Sequence, residues 1–196
     1  MKLMTLMISI MLLLPVSSSA NPYTNERNIQ NKIEVSDADK PLFDAIVNKE
    51  TSSVKSLIAK GVNVNAKDKN EKTALMYAAE TDNAEMVKSL IEAGAEVNVK
   101  DKSGKTALMY AAQKGSTDNV RILLDAKAEV NARDEDGRTA LMYAAINGFG
   151  YKLQALLLAD AEVNLKDKSG KTALMLAKEK ENGTAVDILK NFGATE

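Results

Sequence analysis

From Asp68 onward the chain repeats one arrangement of apolar and polar positions. Asp68–Lys100 (DKNEKTALMYAAETDNAEMVKSLIEAGAEVNVK), Asp101–Arg133 (DKSGKTALMYAAQKGSTDNVRILLDAKAEVNAR) and Asp134–Lys166 (DEDGRTALMYAAINGFGYKLQALLLADAEVNLK) are each 33 residues long. Asp167–Glu196 opens a further copy, and a degenerate one precedes them in Lys40–Ile46 (KPLFDAI) and Val54–Asn65 (VKSLIAKGVNVN). A fixed period of this size marks an array of small supersecondary units. Each copy predicts two helices. Thr73, Thr106, Thr139 and Thr172 stand where the first begins, and a hydroxyl there caps free backbone N–H groups. Ala78–Ala79, Ala111–Ala112 and Ala144–Ala145 are small enough for neighbouring helices to approach closely. Val87, Leu90 and Ile91, like Val120, Leu123 and Leu124, have the i, i+3, i+4 spacing of a second, amphipathic helix. Gly61 and Gly94 suit the left-handed residue that ends it. A Glu-Val-Asn run then leads into an exposed turn carrying the next Asp. One such unit cannot bury its own apolar face, so stability has to come from stacking.

This period and pattern resemble the ankyrin repeat, whose signature runs D-x-x-G-x-T-P-L-H-x-A-A, then an apolar helix, then G-A-D-V-N. The resemblance implies an all-α fold, an ankyrin-repeat solenoid of stacked helix-turn-helix units with turn or hairpin tips. Five units are expected, at 37–67, 68–100, 101–133, 134–166 and 167–196. The departures from the signature carry information. Ala74, Ala107, Ala140 and Ala173 replace Pro, and Met76, Met109, Met142 and Met175 replace His. The usual Thr–His network is thus traded for softer apolar packing, with the methionines as core filler. Lys127 and Asp160 occupy the Gly position; a left-handed Lys costs ~1 kcal/mol and Asp somewhat less, marking weaker units. The first unit lacks the Thr, and the last has Ala177–Lys178 for the Ala pair, as end caps do.

Composition narrows the function more than the fold. Lys and Arg number 26 against 27 Asp and Glu, a net charge of −1, with the signs interleaved. No basic stripe suggests nucleic acid as a partner. The chain has no His and no Cys. That removes the commonest general base and metal ligand, thiol nucleophiles, disulfides and thiolate sites. Acidic residues recur with the repeat, as surface charges do, and no D-x-D-x-D-G calcium loop occurs. Neither an enzyme nor a cofactor or metal site is expected.

The N-terminus reads as an address. Met1–Leu14 (MKLMTLMISIMLLL) carries one Lys and then roughly a dozen apolar or small residues, too few to span a membrane. Pro15 follows, and Ser18 and Ala20 hold the minus-three and minus-one places for cleavage after Ala20. Residues 1–20 are thus expected to be a signal peptide, 21–36 a flexible polar leader, and 37–196 the repeat domain. No other membrane contact is expected.

The resemblance places partner binding on turn tips and on the concave face of the first helices. Tyr77, Tyr110 and Tyr143 recur at one position there, with Leu176 completing the row. They form either a ladder of contact residues or a packed edge of the core. Lys69, Lys72, Lys102 and Lys105 lie in the second and third turns, and Glu135, Asp136 and Arg138 make the fourth different. This rim either meets a partner of opposite charge or is a solvated edge. Phe149 and Tyr151, in GFGY, break the period where other units have polar or small residues. They serve as anchors or tuck over a neighbouring unit.

The resulting expectation is a protein-binding chain, a monomer on its own, working in a bacterial periplasm. Its partner would be another protein, an exported enzyme that it inhibits, protects or stabilises. The sharpest form is an immunity-type cap over a cell-wall hydrolase, and the alternative a secreted effector engaging host proteins.

Overall fold

A computed structural model describes residues 33–195. The expected signal peptide and most of the expected leader lie outside them. The described residues carry ten helices and no strand, in five pairs. These are α1 (Lys40–Val47) and α2 (Thr51–Ala59), α3 (Ala74–Ala79) and α4 (Ala84–Glu92), then α5 (Ala107–Gln113) and α6 (Thr117–Asp125). α7 (Ala140–Ile146) and α8 (Gly150–Leu158) follow, then α9 (Ala173–Glu179) and α10 (Gly183–Asn191). Each first helix packs on the next first helix, and each second helix on the next second helix. The chain is therefore a two-row, all-α stack with one core running between the rows.

Local chemistry sets each unit. Thr73, Thr106, Thr139 and Thr172 cap the first helices, their hydroxyls accepting from the N–H of Met76, Met109, Met142 and Met175. The alanine pairs of the second, third and fourth units are fully buried. Met76, Met109 and Met142 are core residues, whereas Met175, in the last described unit, is only partly covered. Gly61 and Gly94 end their helices at positive φ. Lys127 and Asp160 adopt the same left-handed conformation, at φ 64° and 63°, as does Glu71 at 62° where later turns have Gly104, Gly137 and Gly170.

Two ladders join unit to unit. At the turns, the N–H of Lys102, Glu135 and Lys168 donates to the carbonyls of Asn70, Ser103 and Asp136. After each second helix Asn65, Asn98, Asn131 and Asn164 each donate to one carbonyl of the following unit and accept one N–H from it. The first unit opens with a short turn at residues 37–39, and the segment before it joins the turn ladder. Ile33 is buried, and the carbonyl of Glu34 accepts from Lys69 N–H at 3.0 Å. Residues 33–36, expected in a flexible leader, thus belong to the folded body because they complete its first rung.

Candidate partner-binding face

The first helices and the turns meet along one seam, and charge on that seam is organised by the turn aspartates. Asp68, Asp101, Asp134 and Asp167 are buried. Oδ1 of each accepts two backbone N–H groups, two and four residues ahead, and so closes the turn. In the second, third and fourth units Oδ2 accepts the hydroxyl of Tyr77, Tyr110 or Tyr143. Burial first, then this bond and the carboxylate's charge, push all three phenols well above their ordinary range. Burial alone would raise the Asp101 carboxyl, but bonds from Tyr110, Ser103 and the backbone outweigh it and hold it below its ordinary value. In the fifth unit Leu176 has no hydroxyl to offer. There Oδ2 of Asp167 faces Nε of Arg138 from the unit before, at 3.6 Å.

Lysines fill the spaces between the rings. The ammonium of Lys72 lies 4.0 Å from the centre of the Tyr77 ring and 4.1 Å from that of Tyr110. Lys105 stands 5.6 Å from Tyr110 and 4.5 Å from Tyr143. Lys72 also pairs with Glu80 at 2.8 Å. Burial lowers its pKa despite that partner. The alternation Tyr–Lys–Tyr–Lys–Tyr satisfies charge and π-faces together, and Phe43 closes one end edge-on against Tyr77.

This sorts the residues singled out in the sequence. Tyr143 is buried and Tyr77 and Tyr110 are half-buried, so the row is a packed edge and not a ladder of free anchors. Their hydroxyls are already committed. Lys72 and Lys105 are drawn over the rings of the same seam, Arg138 faces Asp167 there, and Lys69 pairs with Glu34 at 2.7 Å. Lys102, Glu135 and Asp136 remain exposed on the turns. Phe149 and Tyr151 lie elsewhere, on the second-helix row. Tyr151 is 76% exposed and does not tuck over a neighbour. Phe149 packs over the Lys152 ammonium at 3.8 Å.

A groove of about 500 Å³ opens on the seam between the second and third units. Tyr77 and Tyr110 wall it, and Asn70, Lys102, Lys114 and Glu135 rim it. Lys114 approaches Glu80 at 3.5 Å but stays exposed. The groove therefore offers aromatic flanks with both signs of charge at its mouth. Lys114 and Asn70 were missed from sequence because they sit at variable positions of the repeat. The Asp–Tyr bond had a visible signal: the two residues recur nine apart in three units, and the fourth Asp meets Leu176. Among the described residues no cluster of His, Cys, Asp or Glu could hold a metal ion, and no helix is long and apolar enough to cross a membrane.

Paired helices in two rows, joined by laddered turns and repeating every 33 residues, define a stacked repeat solenoid. A family model described as ankyrin repeats (3 copies) matches residues 9–101, 42–134 and 82–167, and the chain belongs to the ankyrin repeat family. No curated protein matches it. Membership makes the chain a protein-binding module.

Proposed function

We propose that the chain is an exported, non-catalytic binding module of the periplasm that grips another exported protein by its concave face. The groove between the second and third units carries this reading. Its floor is held rigid by the buried Asp–Tyr–Lys seam, so a partner meets a surface that loses little freedom on binding. The rim places Lys102 and Lys114 near Glu135, which suits a partner segment bearing an acidic side chain beside a basic one. Export rests on the N-terminal sequence, with its single Lys, short apolar run and Ser18–Ala20 cleavage pattern.

The sharpest form of the proposal is an inhibitory or immunity-type cap over a periplasmic cell-wall hydrolase. Mature chain immobilised and exposed to periplasmic extract should capture one enzyme, whose activity falls or whose lifetime rises when the chain is added. Capture of nothing, or an enzyme of unaltered activity and stability, would overturn it. Recovery of the chain in the medium bound to a host protein would instead make it a secreted effector.

A further inference from the structure

At α8 the second-helix row turns two large apolar side chains to the outside. Three positions of each second helix point outward at the same register. In α4 they hold Glu85, Lys88 and Glu92, and in α6 Asp118, Arg121 and Asp125. In α8 they hold Tyr151, Gln154 and Leu158, all exposed, with Tyr151 at 76% and Leu158 at 77%. Scattered apolar side chains on a surface are ordinary, but two large ones on one helix face, in place of charges, are not. They continue into a shallow groove of about 270 Å³ between α6 and α8, lined also by Leu124, Ala155 and Ala159.

We propose that a second copy of this chain covers this face, two molecules packing back to back across α8. The charges on the two flanking helices choose that occupant. α6 and α10 lie on either side of α8. α6 presents Arg121 and Asp125, and α10 presents Asp187 and Asn191, all exposed. Arg121 and Asp187 are two periods apart and stand at the same height along their helices. Asp125 shares its register with Asn191, which is exposed and offers an amide to the carboxylate. A two-fold axis along α8 lays α6 of one molecule over α10 of the other. Arg121 then meets Asp187 of the second copy, a pair formed twice, and Asp125 meets its Asn191. On the axis, Tyr151 and Leu158 meet their own counterparts. The existing Arg121–Asp118 contact, 3.5 Å long and exposed, is weak enough to give way. The arrangement differs from the single chain expected from sequence, and it turns both concave faces outward, doubling the sites available to a clustered partner.

Sedimentation equilibrium of the mature chain over a dilution series tests this. Wild type is expected as two-chain particles that dissociate on dilution. Tyr151→Asp with Leu158→Asp, the residue type that α6 carries at both positions, is expected to give single chains with an unchanged circular-dichroism spectrum and melting curve. Arg121→Asp or Asp187→Arg alone should weaken association by about tenfold or more, and the two together should restore it. Wild type that stays a single chain throughout, or a double charge swap that fails to restore pairing, would overturn the proposal. Loss of partner capture by Lys102 variants leaves these outcomes unchanged, so this proposal and the concave-face reading fail separately.

Discussion

Tyr110 donates its hydroxyl to Oδ2 of Asp101, nine residues before it in the same unit, at 2.5 Å. Oδ1 of that carboxylate accepts the N–H of Ser103 and Lys105 at 2.8 and 2.9 Å. One buried carboxylate thus ties the turn to the first helix, and the same tie recurs from Asp68 to Tyr77 and from Asp134 to Tyr143. Replacing Tyr110 with Phe keeps the ring over which Lys72 and Lys105 pack, yet leaves an acceptor of a buried charge unmet. A loss of about 1–3 kcal/mol in unfolding free energy is expected, read from denaturant midpoints. An unchanged midpoint would show that solvent replaces the hydroxyl at no cost.

The fifth unit offers the reverse experiment. Leu176 stands where the other units have tyrosine, and Asp167 relies on Arg138. Leu176→Tyr should return the missing donor and stabilise the chain by about 0.5–1.5 kcal/mol. Arg138→Ala should be more damaging in wild type than in the Tyr variant, because only wild type then leaves Asp167 without a side-chain partner. Equal losses in the two backgrounds would contradict this account.

Alkaline titration reads the seam directly. Burial, the aspartate bond and the negative charge raise the phenols of Tyr77, Tyr110 and Tyr143. The folded chain then holds protons that the unfolded chain releases. Their contribution to stability is complete below the ordinary value of about 10 and is lost as pH rises through the folded values. Lys72, lowered by burial, acts in the opposite sense, so the test is phenolate absorbance rather than stability alone. These three phenols should remain un-ionised at about pH 11 and ionise only as the fold melts. Ionisation of any of these three near pH 10 in folded protein, with Tyr23 and Tyr151 replaced by Phe, would refute the buried bond.

Among the described residues, five non-glycines sit in a conformation that favours glycine: Lys49, Glu71, Lys127, Asp160 and Glu181. A left-handed β-carbon costs ~1–2 kcal/mol for most side chains, offset in part by the greater freedom of an unfolded glycine. Glu71→Gly and Lys127→Gly are each expected to raise stability by up to about 1 kcal/mol, and Asp160→Gly by less, since Asp tolerates the region better. Thermal melts of single variants check the order. A fall in melting temperature at Lys127 would contradict it.

Much of the fold was legible because repetition multiplies weak signals. The helix caps, alanine pairs, methionine core and left-handed Lys127 all followed from aligning the copies. The site was less legible. Tyr77, Tyr110 and Tyr143 read equally as contacts or packing, since a half-buried phenol serves both, and only geometry reveals a hydroxyl already spent on aspartate. Lys72 and Lys105 looked like solvated rim charges; sequence does not show that a ring from the next unit folds over them. Ile33 and Glu34 seemed to be leader because the turn they complete comes from a different unit. Tyr151 stood out in sequence, but its exposure depends on the apolar core being filled from the other side of α8.

The central claim is that the groove between the second and third units holds the partner. Titration of the captured exported protein with wild type and with Lys102→Glu/Lys114→Glu tests it most directly. Both lysines are exposed, so the variant should fold and melt as wild type does. Binding is expected to weaken by about tenfold or more, with the deficit growing as salt is lowered. Unchanged affinity at every salt concentration, in a variant that melts like wild type, would contradict it.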